Sequence, residues 1–166
     1  MNKTEHKHLL EIKDLHVSFK IMNGTVEAIN GVSFTLDKGK ILGIVGESGS
    51  GKSVTSYSIM QLIDKNGHID SGSIYFDGLD MLKLPQSQLR QIRGNRIAMI
   101  FQDPMTALDP VYTIGNQLEE AVKTHEFVSK DVAYKRSIEM LKLVGINEPE
   151  KRMKQYPFEF SGGMLQ

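Results

Sequence analysis

Eight consecutive residues, Gly46-Glu47-Ser48-Gly49-Ser50-Gly51-Lys52-Ser53, carry the densest chemistry in the chain. They fit the spacing G-x-x-x-x-G-K-[ST], a loop built to hold phosphate. Glycine lets the backbone curl until successive N–H groups point inward at phosphate oxygens, and a helix that follows adds the positive end of its dipole. Lys52 would then reach the β- and γ-phosphates. Ser53 would offer its hydroxyl to a Mg²⁺ ion that bridges the same oxygens and neutralises charge developing in phosphoryl transfer. Such a loop needs a strand before it and a helix after it. The unbroken apolar run Ile41-Leu42-Gly43-Ile44-Val45 predicts a strand covered on both faces, and a helix is expected from near Lys52. On this loop alone a transport ATPase, a kinase and a GTPase stay open.

Two later segments narrow the choice. Ile97-Ala98-Met99-Ile100-Phe101-Gln102-Asp103-Pro104 runs on to Pro110, and Tyr156-Pro157-Phe158-Glu159-Phe160-Ser161-Gly162-Gly163-Met164 follows a helical stretch further on. An amide such as Gln102 at a strand end can donate to phosphate or water, or ligate hydrated Mg²⁺ through its oxygen. Ser161-Gly162-Gly163 after a helical stretch suits an anion site at a helix start. In this order after the phosphate loop, the segments resemble the Q-loop and signature motif of ABC transporter ATPases. Their wording is similar to the oligopeptide, dipeptide and nickel importer subgroup, and the likeness covers essentially the whole chain.

That resemblance implies ATP and Mg²⁺ as cofactors, with Gly46, Glu47, Ser48, Gly49, Ser50, Gly51, Lys52 and Ser53 binding nucleotide. It implies that Gln102 places Mg²⁺ or water, senses the γ-phosphate and links it to a transmembrane partner, with Ser53 and Gln102 as the metal-facing pair. Ser161, Gly162 and Gly163 would grip, in trans, the γ-phosphate of ATP held by a second ABC ATPase subunit. Further partners implied are membrane permease subunits and, indirectly, an external peptide-binding protein, with the protein docked peripherally on the cytoplasmic face of the membrane. Phe19 falls about where the family places an aromatic ring against adenine; packing within the β layer is the competing reading of the same residue. Hydrolysis by a non-transport ABC ATPase, and a non-catalytic nucleotide-binding fragment, are the alternative functions.

The elements that must position these residues are legible in part. Leu15, Val17, Phe19 and Ile21 alternate with polar residues, Asn23-Gly24 supplies a hairpin turn, and Val32, Phe34 and Leu36 alternate again, which predicts an antiparallel β layer. Ser73 to Phe76 and Arg96 to Phe101 are expected as strands, with a helix after Pro85 between them. Helices are expected over residues 113 to 125 and 129 to 144, the second capped by Ser129 and ended by Gly145. These elements read as α/β, and the resemblance implies an ABC-type P-loop core with an antiparallel β subdomain and a helical subdomain. The resemblance implies one nucleotide-binding domain over residues 1–166, its N-terminal part, with the β subdomain and P-loop core expected over about 8–102 and the Q-loop and helical part over 103–166.

Composition excludes several functions. Lys plus Arg and Asp plus Glu both number 20, giving zero formal net charge, so no single-signed field favours nucleic acid. The absence of cysteine rules out disulfides, thiolate zinc sites and cysteine nucleophiles within these 166 residues. The longest apolar runs fall far short of the roughly 20 residues a membrane span requires. The five histidines show no helical metal spacing. Two departures from the resembled pattern stand out. Leu165 occupies the position where the subgroup carries arginine. The core is also expected to lack the following strand with its catalytic carboxylate, which the family places beside the P-loop strand.

Overall fold

The computed structural model describes residues 8–103 and 107–166. The chain divides into two compact units, one ending at Leu89 and the other beginning at Arg90.

The first unit is built on a four-stranded sheet. Strand β1 (Leu10–Ile21) pairs antiparallel with β2 (Gly24–Leu36), closing on the pair Ile21 and Gly24 around a two-residue turn at Met22-Asn23. The turn thus lies one residue earlier than expected, with Gly24 at φ 141°. Strand β3 (Gly67–Phe76) adds antiparallel to the other side of β1, and the short β4 (Leu79–Asp80) completes the order β2-β1-β3-β4. Helix α1 (Lys52–Met60) buries Ile59 and Met60, and the sheet buries Ile12, Leu15, Val17, Ile29, Ile74 and Phe76. The helix ends at Gln61 in the left-handed region, φ 49°, with the Gln61 side-chain Nε2 donating to the Met81 carbonyl. Burial of this many large apolar side chains, each contributing roughly 1.5–3 kcal/mol, holds the unit together.

All three long strands leave regular geometry near one level. Asp14 in β1 adopts φ 46°, Gly31 in β2 φ 74° and Gly72 in β3 φ 98°. The β1 register slips on both sides there, between Ile12 and Leu15 toward β2 and between Lys13 and His16 toward β3. An extra residue in one strand forces such a bulge and sharpens the local twist. Ser33 Oγ accepts from the Asp14 amide at 2.8 Å, and Asp14 Oδ1 meets His16 Nε2 at 3.2 Å. Gly72 lies against the β1 backbone: a Cβ there would come within 2.7 Å of both the Leu15 Cα and the Lys13 carbonyl oxygen.

Two expected strands do not form. Residues 41–45 and 96–101 carry no strand, and the pairing at the second is one parallel bridge between Arg93 and Ile97. Ile41 is 100% exposed and Val45 93%. A strand apolar on both faces is stable only with ladder neighbours and covering layers, and the described residues supply no such neighbour to Ile41–Val45.

Helix α2 (Gln86–Ile92) follows Pro85 as expected. In the second unit, α3 (Ile114–His125) is capped by Thr113, whose hydroxyl accepts from the Asn116 amide, and α4 (Lys130–Leu143) is capped by Ser129, whose hydroxyl accepts from Val132. Gly145, at φ 78°, ends the α4 segment as anticipated. Ile138, Leu141 and Met153 form the core of this unit, with Leu118, Tyr134 and Ile146 packed on it. The amides of Ile114 and Gly115 donate to the carbonyls of Gln155 and Met153, each at 2.9 Å, which ties the start of α3 to the segment after α5 (Pro149–Arg152). Among the described residues no helix is long and apolar enough to cross a membrane.

Candidate functional site

The loop from Gly46 to Ser53 begins as an exposed, irregular segment and ends in α1. Gly49 at φ 80° and Gly51 at φ 86° take left-handed conformations that L side chains rarely adopt, so these two glycines set the curl of the loop. The Ser50 amide donates to the Glu47 carbonyl at 3.2 Å to close a turn inside it. Gly51 presses on β2: a Cβ there would meet the Ala28 carbonyl oxygen at 2.5 Å and the Ile29 side chain at 3.5 Å. The sheet therefore fixes where α1 starts.

Lys52 folds back over the loop. Its ammonium donates to the carbonyls of Gly46 at 2.7 Å and Glu47 at 2.6 Å, and to Ser50 Oγ at 3.3 Å. Helix α1 has no side-chain cap and no acidic residue in its first turn. Its leading N–H groups thus keep their positive end for an anion. Thr55 anchors the turn behind them, its amide and hydroxyl both donating to the Gly51 carbonyl, at 2.8 and 2.9 Å. Ser53 is exposed on the first turn, with its hydroxyl available for a cation beside bound phosphate. Backbone donors, a lysine and a serine hydroxyl thus converge on one short loop.

Phe19 sits half-buried on β1, opposite Val26 on β2 and Gly67 on β3. Its ring covers Gly67 so closely that a Cβ there would meet Cε1 at 2.7 Å.

Gln102 occupies an exposed bend of the second unit. Pro104, Met105 and Thr106, within the expected Q-loop, lie outside the described residues. Ser161 precedes α6 (Gly162–Leu165) in extended conformation, and its carbonyl accepts from Met164 at 2.9 Å and Leu165 at 3.1 Å. Ser161, Gly162 and Gly163 are all exposed.

The segment before Ser161 is braced. Glu159 accepts from the Tyr156 amide at 2.7 Å and from Gln155 Nε2 at 3.2 Å. Gln155 in turn accepts from Arg152 at 2.8 Å. The Arg152 guanidinium lies 5.6 Å from the Phe160 ring centroid, and Tyr156 stacks on Phe158 at 5.5 Å. This network fixes the approach to the turn of α6. Leu165 is half-buried and joins Leu141, Val144, Ile146 and Phe160 in lining an apolar groove, a setting that suits leucine.

The structure thus assembles residues 46–53 into one site in the first unit and 161–163 into a second, braced turn in the other. Sequence reading passed over a polar groove of about 290 Å³ that includes His16, Ser18, Glu27 and Asp70 from β1, β2 and β3. Single polar residues on three separate strands leave no motif to find.

An apolar run, a glycine-rich phosphate loop ending in a helix, an antiparallel β layer and a helical unit bearing an S-G-G turn together define an ATP-binding cassette. The family model described as "ABC transporter" matches residues 29–166, and the chain belongs to that family. Among its relatives, the oligopeptide transport ATP-binding protein OppD of Bacillus subtilis (strain 168) is 55% identical over 159 residues, covering 95% of this chain and 44% of that protein. The dipeptide transport ATP-binding protein DppD of the same organism is 52% identical, covering 95% of this chain and 48% of its own length. The chain therefore spans about half the length of the curated relatives it matches. A solved dimer of the ATP-binding cassette MJ0796, in a post-hydrolysis state bound to ADP and Pi, superposes with a TM-score of 0.81 at 25% identity, covering 94% of this chain and 65% of that one.

Proposed function

We propose that the protein is the ATP-binding subunit of an importer of peptides or related small solutes. In this reading Gly46 to Ser53 bind Mg-ATP, with Lys52 on the β- and γ-phosphates and Ser53 on Mg²⁺. Gln102 helps place the metal or water, and Phe19 lies at the adenine end. Ser161, Gly162 and Gly163 serve the nucleotide held by a second ATPase subunit, identical or related. The two ATPase subunits dock on permease subunits at the cytoplasmic face of the membrane and are fed by an external peptide-binding protein. In this reading the unit ending at Leu89 holds nucleotide, and the unit beginning at Arg90 carries Gln102 and the turn that meets the partner.

One observation carries the nucleotide reading: the Lys52 ammonium and the uncapped start of α1 converge on a single loop curled by left-handed glycines. The peptide reading is supported by relatives named for oligopeptide and dipeptide transport at 55% and 52% identity. Calorimetric titration with Mg-ATP tests the first. Lys52→Ala should lose most of the affinity, and equal binding by the two forms would overturn it. Uptake of a labelled tripeptide by cells with and without the intact gene tests the second; unchanged uptake on deletion would refute it.

A further inference from the structure

We propose that Asn23, in the two-residue turn between β1 and β2, is a site of spontaneous covalent modification, converting to aspartate and isoaspartate through attack by the Gly24 amide nitrogen. The site stands apart from every residue assigned to nucleotide.

Three asparagines in the chain precede a glycine: Asn23, Asn30 and Asn66. Glycine leaves its own nitrogen unshielded by a side chain and lets the backbone turn far enough for attack. The step balances without a reagent other than water. The Gly24 nitrogen gives up its proton and bonds to the side-chain carbonyl carbon of Asn23. The bond from that carbon to the amide nitrogen breaks, and ammonia leaves with the proton. Water then opens the cyclic imide at either carbonyl, giving aspartate or passing the main chain through the side chain as isoaspartate. Nothing is oxidised or reduced.

The fold ranks the three. All are exposed, so access to water does not choose between them. Asn66 is fastened: its carbonyl accepts from the Lys20 amide at 2.8 Å, and its Nδ2 donates to the Lys20 carbonyl at 3.2 Å. The Gly67 nitrogen that would attack it donates to the Asp64 carbonyl at 2.8 Å, and Phe19 Cε1 lies 2.7 Å from where a Gly67 Cβ would stand. Asn30 sits inside β2, opposite His16 in the ladder. The Asp14 carboxylate lies 3.3 Å from the Cβ position of Gly31, and a negative charge there opposes loss of the Gly31 amide proton. Asn23 is a turn residue next to the fully exposed Met22, and nothing lies within 4 Å of the Gly24 Cβ position. The pair Ile21 and Gly24 is the last of its ladder, where strands fray most readily.

Conversion adds a negative charge to a chain of zero formal net charge. Isoaspartate also adds a methylene to the main chain inside a turn of two residues. Strand β2 is at an edge of the sheet, so β1 alone pairs with it, and loosening should spread from Ile21 and Gly24 to Lys20 and Thr25.

The test incubates the 166-residue chain in mildly alkaline buffer and follows each asparagine by mass-spectrometric peptide mapping, with cleavage after Glu27 separating Asn23 from Asn30. Asn23 should convert about tenfold faster than Asn30, which must first release a ladder hydrogen bond, and Asn66 should lag behind both. In urea the three rates should converge, because the fold no longer separates them. Also in urea, where folding plays no part, Gly24→Ala should slow conversion at Asn23 alone. Conversion of Asn30 or Asn66 ahead of Asn23 in the folded chain overturns the inference, as does a ranking that persists unchanged in urea. An Asn23 rate that Gly24→Ala leaves unaltered would remove the Gly24 nitrogen as the attacking atom.

Discussion

Gly72→Ala should be among the most damaging single-atom-scale changes in the first unit. At φ 98° the residue lies where an L side chain is strained, which costs about 1–2 kcal/mol. The new methyl would also be driven into β1, within 2.7 Å of the Leu15 Cα and the Lys13 carbonyl oxygen. Those atoms are backbone in a paired strand and cannot swing aside as a side-chain tip would. Overpacking of this kind costs typically 1–3 kcal/mol. The sum is about 3 kcal/mol, a large share of the roughly 5–15 kcal/mol that stabilises a domain. Gly39→Ala is the matched control, because Gly39 also has a left-handed φ, 74°, but nothing lies within 4 Å of its Cβ position. It should lose only about 1 kcal/mol, from backbone strain alone. Urea denaturation followed by circular dichroism separates the two, and in thermal melts Gly72→Ala should fall by roughly 6–12 °C. If Gly72→Ala proves no less stable than Gly39→Ala, the steric contact with β1 does not govern this position.

Ser129→Ala should destabilise α4 by about 1 kcal/mol, since it removes the hydroxyl that accepts from Val132; a denaturation midpoint equal to wild type would contradict the cap. In Lys52→Ala, Mg-ATP should no longer raise the melting temperature by mass action; unchanged protection would count against phosphate binding there. Ile41→Lys and Val45→Lys together should improve the solubility of the isolated chain, since both side chains stand almost fully exposed in an apolar run. Size-exclusion chromatography reads the outcome as a larger monomer fraction than wild type, and an unchanged elution profile would refute the role of this exposed run in association.

Where the sequence was legible, a local signal decided the structure. The alternation around Val17 and Phe34 gave the hairpin, Ser129 and Gly145 bounded α4, and the loop from Gly46 ran into α1 at Lys52 as its spacing required. Ile41–Val45 and Arg96–Phe101 read just as clearly as strands, but their apolar character reports what they need to be covered by and not whether the cover is present. A strand is a property of a pair. The bulge at Asp14 and the close approach of Gly72 escaped reading for a related reason, since a glycine reveals its purpose only through what lies against it. The groove of Ser18 and Glu27 was invisible because its members are separated along the chain and brought together by register alone.

The fold-back of Lys52 has a consequence for which ligands the loop admits. With its ammonium bonded to the carbonyls of Gly46 and Glu47, Lys52 keeps its charge but is solvated by the loop's own backbone, so an anion that engages it exchanges for those partners instead of meeting a bare cation. A weakly charged anion offers little more than the carbonyls do, whereas adjacent phosphates present enough negative charge to draw the ammonium across and engage the helix start together. The loop thereby favours ligands of high charge density, a polyphosphate over chloride or a lone carboxylate.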